Sequence, residues 1–288
     1  MRSVLPILTV LIAIVAIWYA GAVWMNSAWT LAQAERAEAE LTFGEVVADT
    51  MRQERPRLPA PHQVAAELKN TVIDKKVTSK RSLVFHGWIT LRSTLAGFAL
   101  GTVVGLLMAV SIVYSRVMDM SLMPWAIISQ TIPIVAIAPM IIVVLASIGV
   151  EGRGVPKAII SAYLCFFPVL VGMTKGLRSP DAMQLDLLKT YGASGWAVFW
   201  KLRLPSSMPY LFTSLKIGIA AALVGTIVGE LPTGAIRGLG ARILIGDQFG
   251  NPIMIWSALI AAACLAAGLV TVVAVLQGVT LRRMGFGR

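Results

Sequence analysis

The stretch WITLRSTLAGFALGTVVGLLMAVSIV, from Trp88 to Val113, carries a single charge, Arg92. A helix needs about 20 predominantly apolar residues to cross the hydrocarbon of a bilayer, and this stretch supplies more than that. Five further apolar runs are read as spans, Val4 to Met25, Leu122 to Val150, Ala158 to Met173, Tyr210 to Leu231 and Ile253 to Leu276, of which Ala158 to Met173 is short. The fold class that follows is an all-α polytopic membrane protein of about six transmembrane helices. Composition agrees, since 57% of the 288 residues are hydrophobic and 14% charged, with a mean hydropathy of +0.78, whereas a soluble domain carries about a quarter charged residues.

The net charge of +11 raises nucleic acid as a partner. The Lys and Arg residues, however, lie between the apolar runs and form no basic stripe interleaved with exposed aromatics. The balance reads as membrane topology, with the bilayer as partner and no nucleic acid. Cys165 and Cys264 both fall inside apolar runs, where thiols behave as small buried hydrophobes, so neither a disulfide nor a metal site is expected. His62 and His86 lack metal-ligand spacing within a span, and no catalytic constellation is visible. The chain has no G-x-x-x-x-G-K-[ST] phosphate loop; its nearest imitation, Gly149 to Lys157, lacks the Gly-Lys-Ser/Thr ending.

Within the runs, Pro124, Pro133 and Pro139 break the third, which predicts kinked or unwound helix lining a cavity. Ser129, Gln130 and Thr131 beside Pro133 offer hydrogen-bonding groups there and are candidates for a translocation path, the plain alternative being a kink filled by its own side chains. Glu230, at the end of the fifth run, is a further candidate: a gate, a partner of Arg237 or Arg242, or an interfacial residue. Arg92 and Lys216 read as residues that snorkel to an interface. Gly97, Gly101 and Gly105 on the second run, and Gly225 and Gly229 on the fifth, recur every four residues, a spacing that favours close helix packing.

Domain organisation reads as residues 1–87, a first transmembrane helix plus a long external segment, and residues 88–288, a core transmembrane domain. The first run follows Met1 and Arg2, and Ala20-Gly21-Ala22 resembles a signal cleavage site; the run is longer than a usual signal core. Between Asn26 and Phe85, mixed charges continue the first helix until Arg55-Pro56-Arg57-Leu58-Pro59-Ala60-Pro61 breaks it. Val64, Leu68, Thr71 and Val72 then recur at helical spacing, as in a short amphipathic helix. Lys and Arg in short loops favour the cytoplasm. With the N-terminus inside, the inner face gathers Arg2, Arg116, Lys175, Arg178, Lys189, Lys201, Arg203, Arg282, Arg283 and Arg288, and the short outer loops hold Arg153, Lys157, Arg237 and Arg242. Lys75, Lys76, Lys80 and Arg81 run against that orientation, although long loops translocate largely regardless of charge.

The segment from Lys175 to Pro209 is too patterned for a connector. Ser179 or Asp181 caps a helical run to Tyr191, Gly192 takes the left-handed turn that ends it, and a second helical run ends at Leu204-Pro205. Leu187, Leu188, Tyr191, Trp196, Val198 and Phe199 give the hairpin an apolar face that wants a protein partner. Gly192, nine residues, then Leu202-Arg203-Leu204-Pro205 resembles the E-A-A-x-x-x-G, nine residues, I-x-L-P signature of ABC importer permeases. Asp186-Leu187-Leu188 stands where the signature has Glu-Ala-Ala. Leu58 to Val64, Gly229-Glu230-Leu231 and Gly238-Leu239-Gly240 resemble the sulfonate, nitrate, taurine and thiamine-precursor branch.

That resemblance implies a coupling helix in the loop 175–209, seated in a cleft of a separate ATPase subunit. Asp186, Leu187, Leu188, Tyr191, Gly192, Ala193, Leu202, Leu204 and Pro205 would make or shape the contact. It implies ATP and magnesium in that partner and no cofactor on this chain. It also implies an external substrate-binding protein, a second permease copy or paralogue, an inner-membrane location with both termini cytoplasmic, and import of a small organic solute by alternating access. A secondary transporter, which would call for an ionisable coupling site at mid-membrane, and a non-transporting scaffold are the rival readings.

Overall fold

The computed structural model describes residues 4–150, 152, 154–232 and 236–286. Arg2, Arg153 and Arg288, which contribute to the charge asymmetry, lie outside them. Twelve α-helices are seen among the described residues, five of them long and apolar enough to cross a membrane, or six when one bent pair is taken as a span. They divide into two compact units, one of residues 1–86 with 242–261 and one of residues 87–241 with 262–288.

In the smaller unit, α1 (Val4–Arg36) continues past the apolar run as predicted but ends at Arg36, a correction to the expected continuation as far as Arg55. Its polar half stays helical because its buried polar groups find partners. Asn26 Nδ2 donates to the Leu58 carbonyl at 2.9 Å while its Oδ1 accepts from the Leu58 amide at 3.2 Å. Thr30 donates to Asp49 at 2.7 Å. The intervening helices are α2 (Phe43–Thr50) and α3 (Pro61–Lys69), the latter with a proline in its first turn, where a missing N–H costs nothing. Trp18 donates to the Pro59 carbonyl at 2.9 Å and its ring lies 5.1 Å from that of Trp256. After α3 a π turn, Asn70–Asp74, changes the helical phase. Val64 and Thr71 are buried, Leu68 is half-buried and Val72 is exposed.

The larger unit is built on α4 (Leu83–Tyr114), α7 (Gly154–Leu177) and α10 (Leu204–Glu230). Lipid tails are as apolar as leucine, so helices in a bilayer associate through close backbone approach. A Cβ on Gly97 would stand 2.6 Å from the Ala158 carbonyl oxygen, one on Gly101 2.7 Å from that of Ala162, and one on Gly105 2.7 Å from that of Phe166. On the other flank of α7, a Cβ on Gly225 would stand 2.8 Å from Ser161 Cα and one on Gly176 2.9 Å from Ser207 Cβ. Ala109, Ile112, Ala126, Leu170, Met173 and Leu177 form a buried cluster at one end of this stack.

The third apolar run is two helices, α5 (Arg116–Ser129) and α6 (Ile134–Ser147), meeting at 103°. Only one of its three prolines breaks it. Pro124 and Pro139 lie inside α5 and α6, whereas Pro133 caps α6 with extended backbone, in keeping with the bias of a pre-proline residue such as Ile132 away from helix. The remaining helices are α8 (Ala182–Thr190), α9 (Gly195–Val198), α11 (Leu239–Gln248) and α12 (Pro252–Arg283).

Gly101→Val is expected to lower stability by about 1–3 kcal/mol, the cost of overpacking a close contact. Gly44→Ala in α2, where nothing lies within 4 Å of the new Cβ, is expected to shift it by less than about 1 kcal/mol. Thermal unfolding of the detergent-solubilised variants checks both.

Candidate functional site

The segment between α7 and α10 is a folded hairpin. Asp181 precedes α8 and its amide donates to Gln184 Oε1 at 3.3 Å; Gly192 has φ +67°, the left-handed conformation the turn requires. Ser194 Oγ accepts from the Ala197 amide at 3.3 Å and so starts α9. The predicted stop at Leu204-Pro205 is corrected. α9 passes through a π turn, Phe199–Arg203, straight into α10. Pro205 has no N–H to give to the Lys201 carbonyl, and the Leu204 amide reaches back five residues to the Phe199 carbonyl, so the wider turn absorbs the proline at the first turn of the new helix.

Nothing among the described residues covers the outer face of the hairpin. Tyr191 is 80% exposed, Met183 78%, Trp196 71% and Leu187 57%, and no residue of α8 is buried. Asp186, Gly192 and Leu187 are open to solvent, Leu188, Ala193, Leu202, Leu204 and Pro205 half-buried. Asp186 and Lys189 pair at 3.0 Å, but both are well exposed, and such pairs contribute little. The inner face is anchored. Arg203 Nη1 donates to the Leu177 carbonyl at 2.8 Å, satisfying an end group of α7, and its guanidinium lies 5.9 Å from the Tyr114 ring centroid. Phe199 packs edge-on to Tyr114 at the end of α4, and the Trp196 and Trp200 rings lie against Phe199. Arg178 and Asp119 pair at 2.8 Å. Tyr114 was not singled out from sequence, and Arg203 was read only as an inner-face cation within the motif; an arginine and an aromatic at helix ends are too common a signal to reveal the anchor.

The candidates for a translocation path separate into two places. Ser129, Gln130, Thr131 and Pro133 form the α5–α6 bend. Ser129 Oγ donates to the Ala126 carbonyl at 2.7 Å and Thr131 Oγ1 to the Ile128 carbonyl at 2.8 Å, while Gln130 Nε2 donates to Ser129 Oγ at 3.3 Å. Tyr163 donates to the Ser129 carbonyl. Much of the polarity of the bend is thus used locally.

Glu230, the last residue of α10, is fully buried. Lys157 Nζ, in the first turn of α7, lies 3.4 Å from Glu230 Oε1 and also donates to the Arg237 carbonyl at 3.4 Å. Thr90 donates to the carboxylate at 3.0 Å and the Gly240 amide donates to it at 2.8 Å, while Thr90 Oγ1 accepts from the Leu239 amide at 2.9 Å. Gly238, at φ +131°, runs so close that a Cβ would overlap the carboxylate. The expectation assigned Lys157 to an outer loop; the structure places it inside α7, 4% exposed. The pairing spans 73 residues, and hydropathy alone could not reveal it. The network ties α4, α7 and α10 to the segment that follows α10.

The described residues form a polytopic helical bundle with a hairpin anchored on one face and exposed on the other. The family model for the binding-protein-dependent transport system inner membrane component matches residues 101–286, and the chain belongs to that family, the permease subunits of ABC importers. It is 33% identical over 183 residues to a probable ABC transporter permease protein of Haemophilus influenzae, covering 63% of this chain and 69% of that one. It is 31% identical to the formylaminopyrimidine transport permease protein ThiX of Halalkalibacterium halodurans, covering 68% and 73%, and 29% identical to the riboflavin transport system permease protein RibX of Chloroflexus aurantiacus, covering 78% and 80%.

Removing one member of a buried ion pair strands the other charge, at a cost of about 3–5 kcal/mol. Lys157→Met is therefore expected to destabilise the protein by that amount, and Lys157→Met/Glu230→Gln to recover most of the loss. Unfolding midpoints of the two purified variants against wild type check the non-additivity.

Proposed function

We propose that this permease couples ATP hydrolysis in a separate subunit to import through the hairpin 182–200. The observation that carries the reading is the contrast between its faces: Leu187, Tyr191 and Trp196 exposed outward, Phe199 and Arg203 fixed inward on the ends of α4 and α7. A membrane domain that must follow the closure of another protein needs a stiff lever. Gly192 sets the turn and Asp186 faces a basic group of the partner, while Leu188, Ala193, Leu202, Leu204 and Pro205 hold the shape. ATP and magnesium reside in the partner, and this chain binds no cofactor.

The remaining architecture follows. The excess of Lys and Arg around the hairpin and at the end of α12 supports an inner-membrane orientation with both termini cytoplasmic. The core, residues 88–288 with its loop 175–209, forms the passage with a second permease copy or paralogue, and residues 1–87 supply the first helix and an external segment. A substrate-binding protein delivers the solute on that side. The Lys157–Glu230 pair lies at helix ends, not mid-membrane, which sets it apart from the coupling site a secondary transporter would need. The names of relatives include transport of formylaminopyrimidine, riboflavin, aliphatic sulfonates and nitrate, which supports a small solute as cargo. Solute passes the α5–α6 bend at Ser129, Gln130, Thr131 and Pro133, and Glu230 holds the far end.

Tyr191→Ala/Trp196→Ala, both at highly exposed positions, is expected to cut co-purification of an ATPase from native membranes by at least about tenfold, as loss of aromatic anchors does at an interface. Mass spectrometry of the pulled-down chains checks this. An equal ATPase yield with the variant contradicts the docking role, and no ATPase with wild type contradicts the importer reading of this hairpin.

A further inference from the structure

The cluster Lys75, Lys76, Lys80 and Arg81 runs against the charge asymmetry of the loops, and nothing in the transport cycle uses it. We propose that residues 70–84 are a binding site for the phosphates of anionic phospholipids, a headgroup clamp ahead of α4. The stretch holds four cations and one carboxylate, Asp74, a net +3 within fifteen residues. None of the four cations forms an ion pair among the described residues. Lys76, Lys80 and Arg81 are exposed and Lys75 is half-buried.

The backbone holds these side chains in place. The Ser79 amide donates to the Lys76 carbonyl at 2.8 Å and the Ser82 amide to the Ser79 carbonyl at 2.9 Å, two successive tight turns. Ser82, Leu83 and His86 are buried beneath them. His86 Nε2 lies 3.0 Å from the Lys80 carbonyl oxygen; a carbonyl only accepts, so this nitrogen carries the proton and pins the turn that presents Lys80 and Arg81. Beside the cations, Ile73 is 72% exposed and Val77 59%, where a water-facing surface has no use for them.

Exposed aliphatic side chains alternating with unpaired cations, immediately before a membrane span, match the two layers of a bilayer surface. The apolar groups enter the acyl boundary and the ammonium and guanidinium groups meet phosphate. Arginine adds a bidentate fork suited to phosphate oxygens. A soluble acidic protein would satisfy the cations but leave Ile73 and Val77 without a reason, which favours lipid.

The test uses the full-length protein reconstituted into nanodiscs of equal phosphatidylglycerol and phosphatidylcholine. Native mass spectrometry then counts the lipids each protein retains. Wild type is expected to retain phosphatidylglycerol over phosphatidylcholine by about fivefold or more, the factor one basic residue contributes near an anionic surface. Lys75→Gln/Lys76→Gln/Lys80→Gln/Arg81→Gln is expected to lose the preference, while Arg282→Gln/Arg283→Gln at the end of α12 keeps most of it. Reconstituting wild type in 1 M salt, where the screening length falls to about 3 Å, is expected to weaken the preference without any substitution. Equal retention of the two lipids by wild type, or a preference that survives both the quadruple substitution and high salt, overturns the proposal.

Discussion

Helix α7 is held between α4 and α10 at distances that admit no side chain on several facing residues, and the larger unit depends on that constraint. In water, helices are driven together by their apolar faces; in lipid that drive is absent, and what remains is close backbone contact and shared hydrogen bonds. Gly97, Gly101 and Gly105 supply the contact on one side of α7, and Gly176 and Gly225 supply it on the other. Ser161 adds a hydrogen bond to the Ala222 carbonyl at 2.8 Å inside the same contact. Three helices packed in this way form one continuous contact along α7.

The two ends of α7 carry two distinct polar arrangements. At its C-terminal end, Leu177 accepts from Arg203, which fastens the hairpin to the bundle. At its N-terminal end, Lys157 joins Glu230, Thr90 and the segment at Leu239 and Gly240. A buried ion pair is weak evidence for stability in itself, because desolvation offsets its attraction; its attested use is to specify one arrangement among several. Here the network joins α4, α7 and α10 at the end away from the hairpin. The mechanical account of coupling joins these two ends through the glycine-packed stack.

The membrane spans were legible because the bilayer demands long apolar helices and the sequence has few other ways to place them. The turn of the hairpin was legible too, because Gly192 imposes a left-handed backbone that reads directly from the residue type, whereas Pro205 was misread as a stop and is absorbed by a π turn. Close packing at Gly97, Gly101 and Gly105 was visible as spacing, although its partner helix was not. What escaped depends on tertiary distance or on local backbone conformation. Lys157 was read as a loop residue because hydropathy averages over a window and does not see a carboxylate 73 residues away. The first helix was carried on to Arg55 because mixed charges run on past Glu38, whose φ of +51° follows the end of α1 at Arg36. The 103° bend is a matter of which of three prolines caps and which two are tolerated within helices, and all three look alike in sequence.

Hydrogen exchange on the permease reconstituted with its ATPase subunits tests the coupling account most directly. Exchange is followed with and without ATP and vanadate in peptides covering residues 182–200 and 226–242. The account predicts strong protection of the hairpin whenever the ATPase is bound, and a nucleotide-dependent change at 226–242, at the opposite end of α7. A hairpin whose exchange is unaffected by the ATPase, or a far end that never responds to nucleotide while transport proceeds, would contradict it.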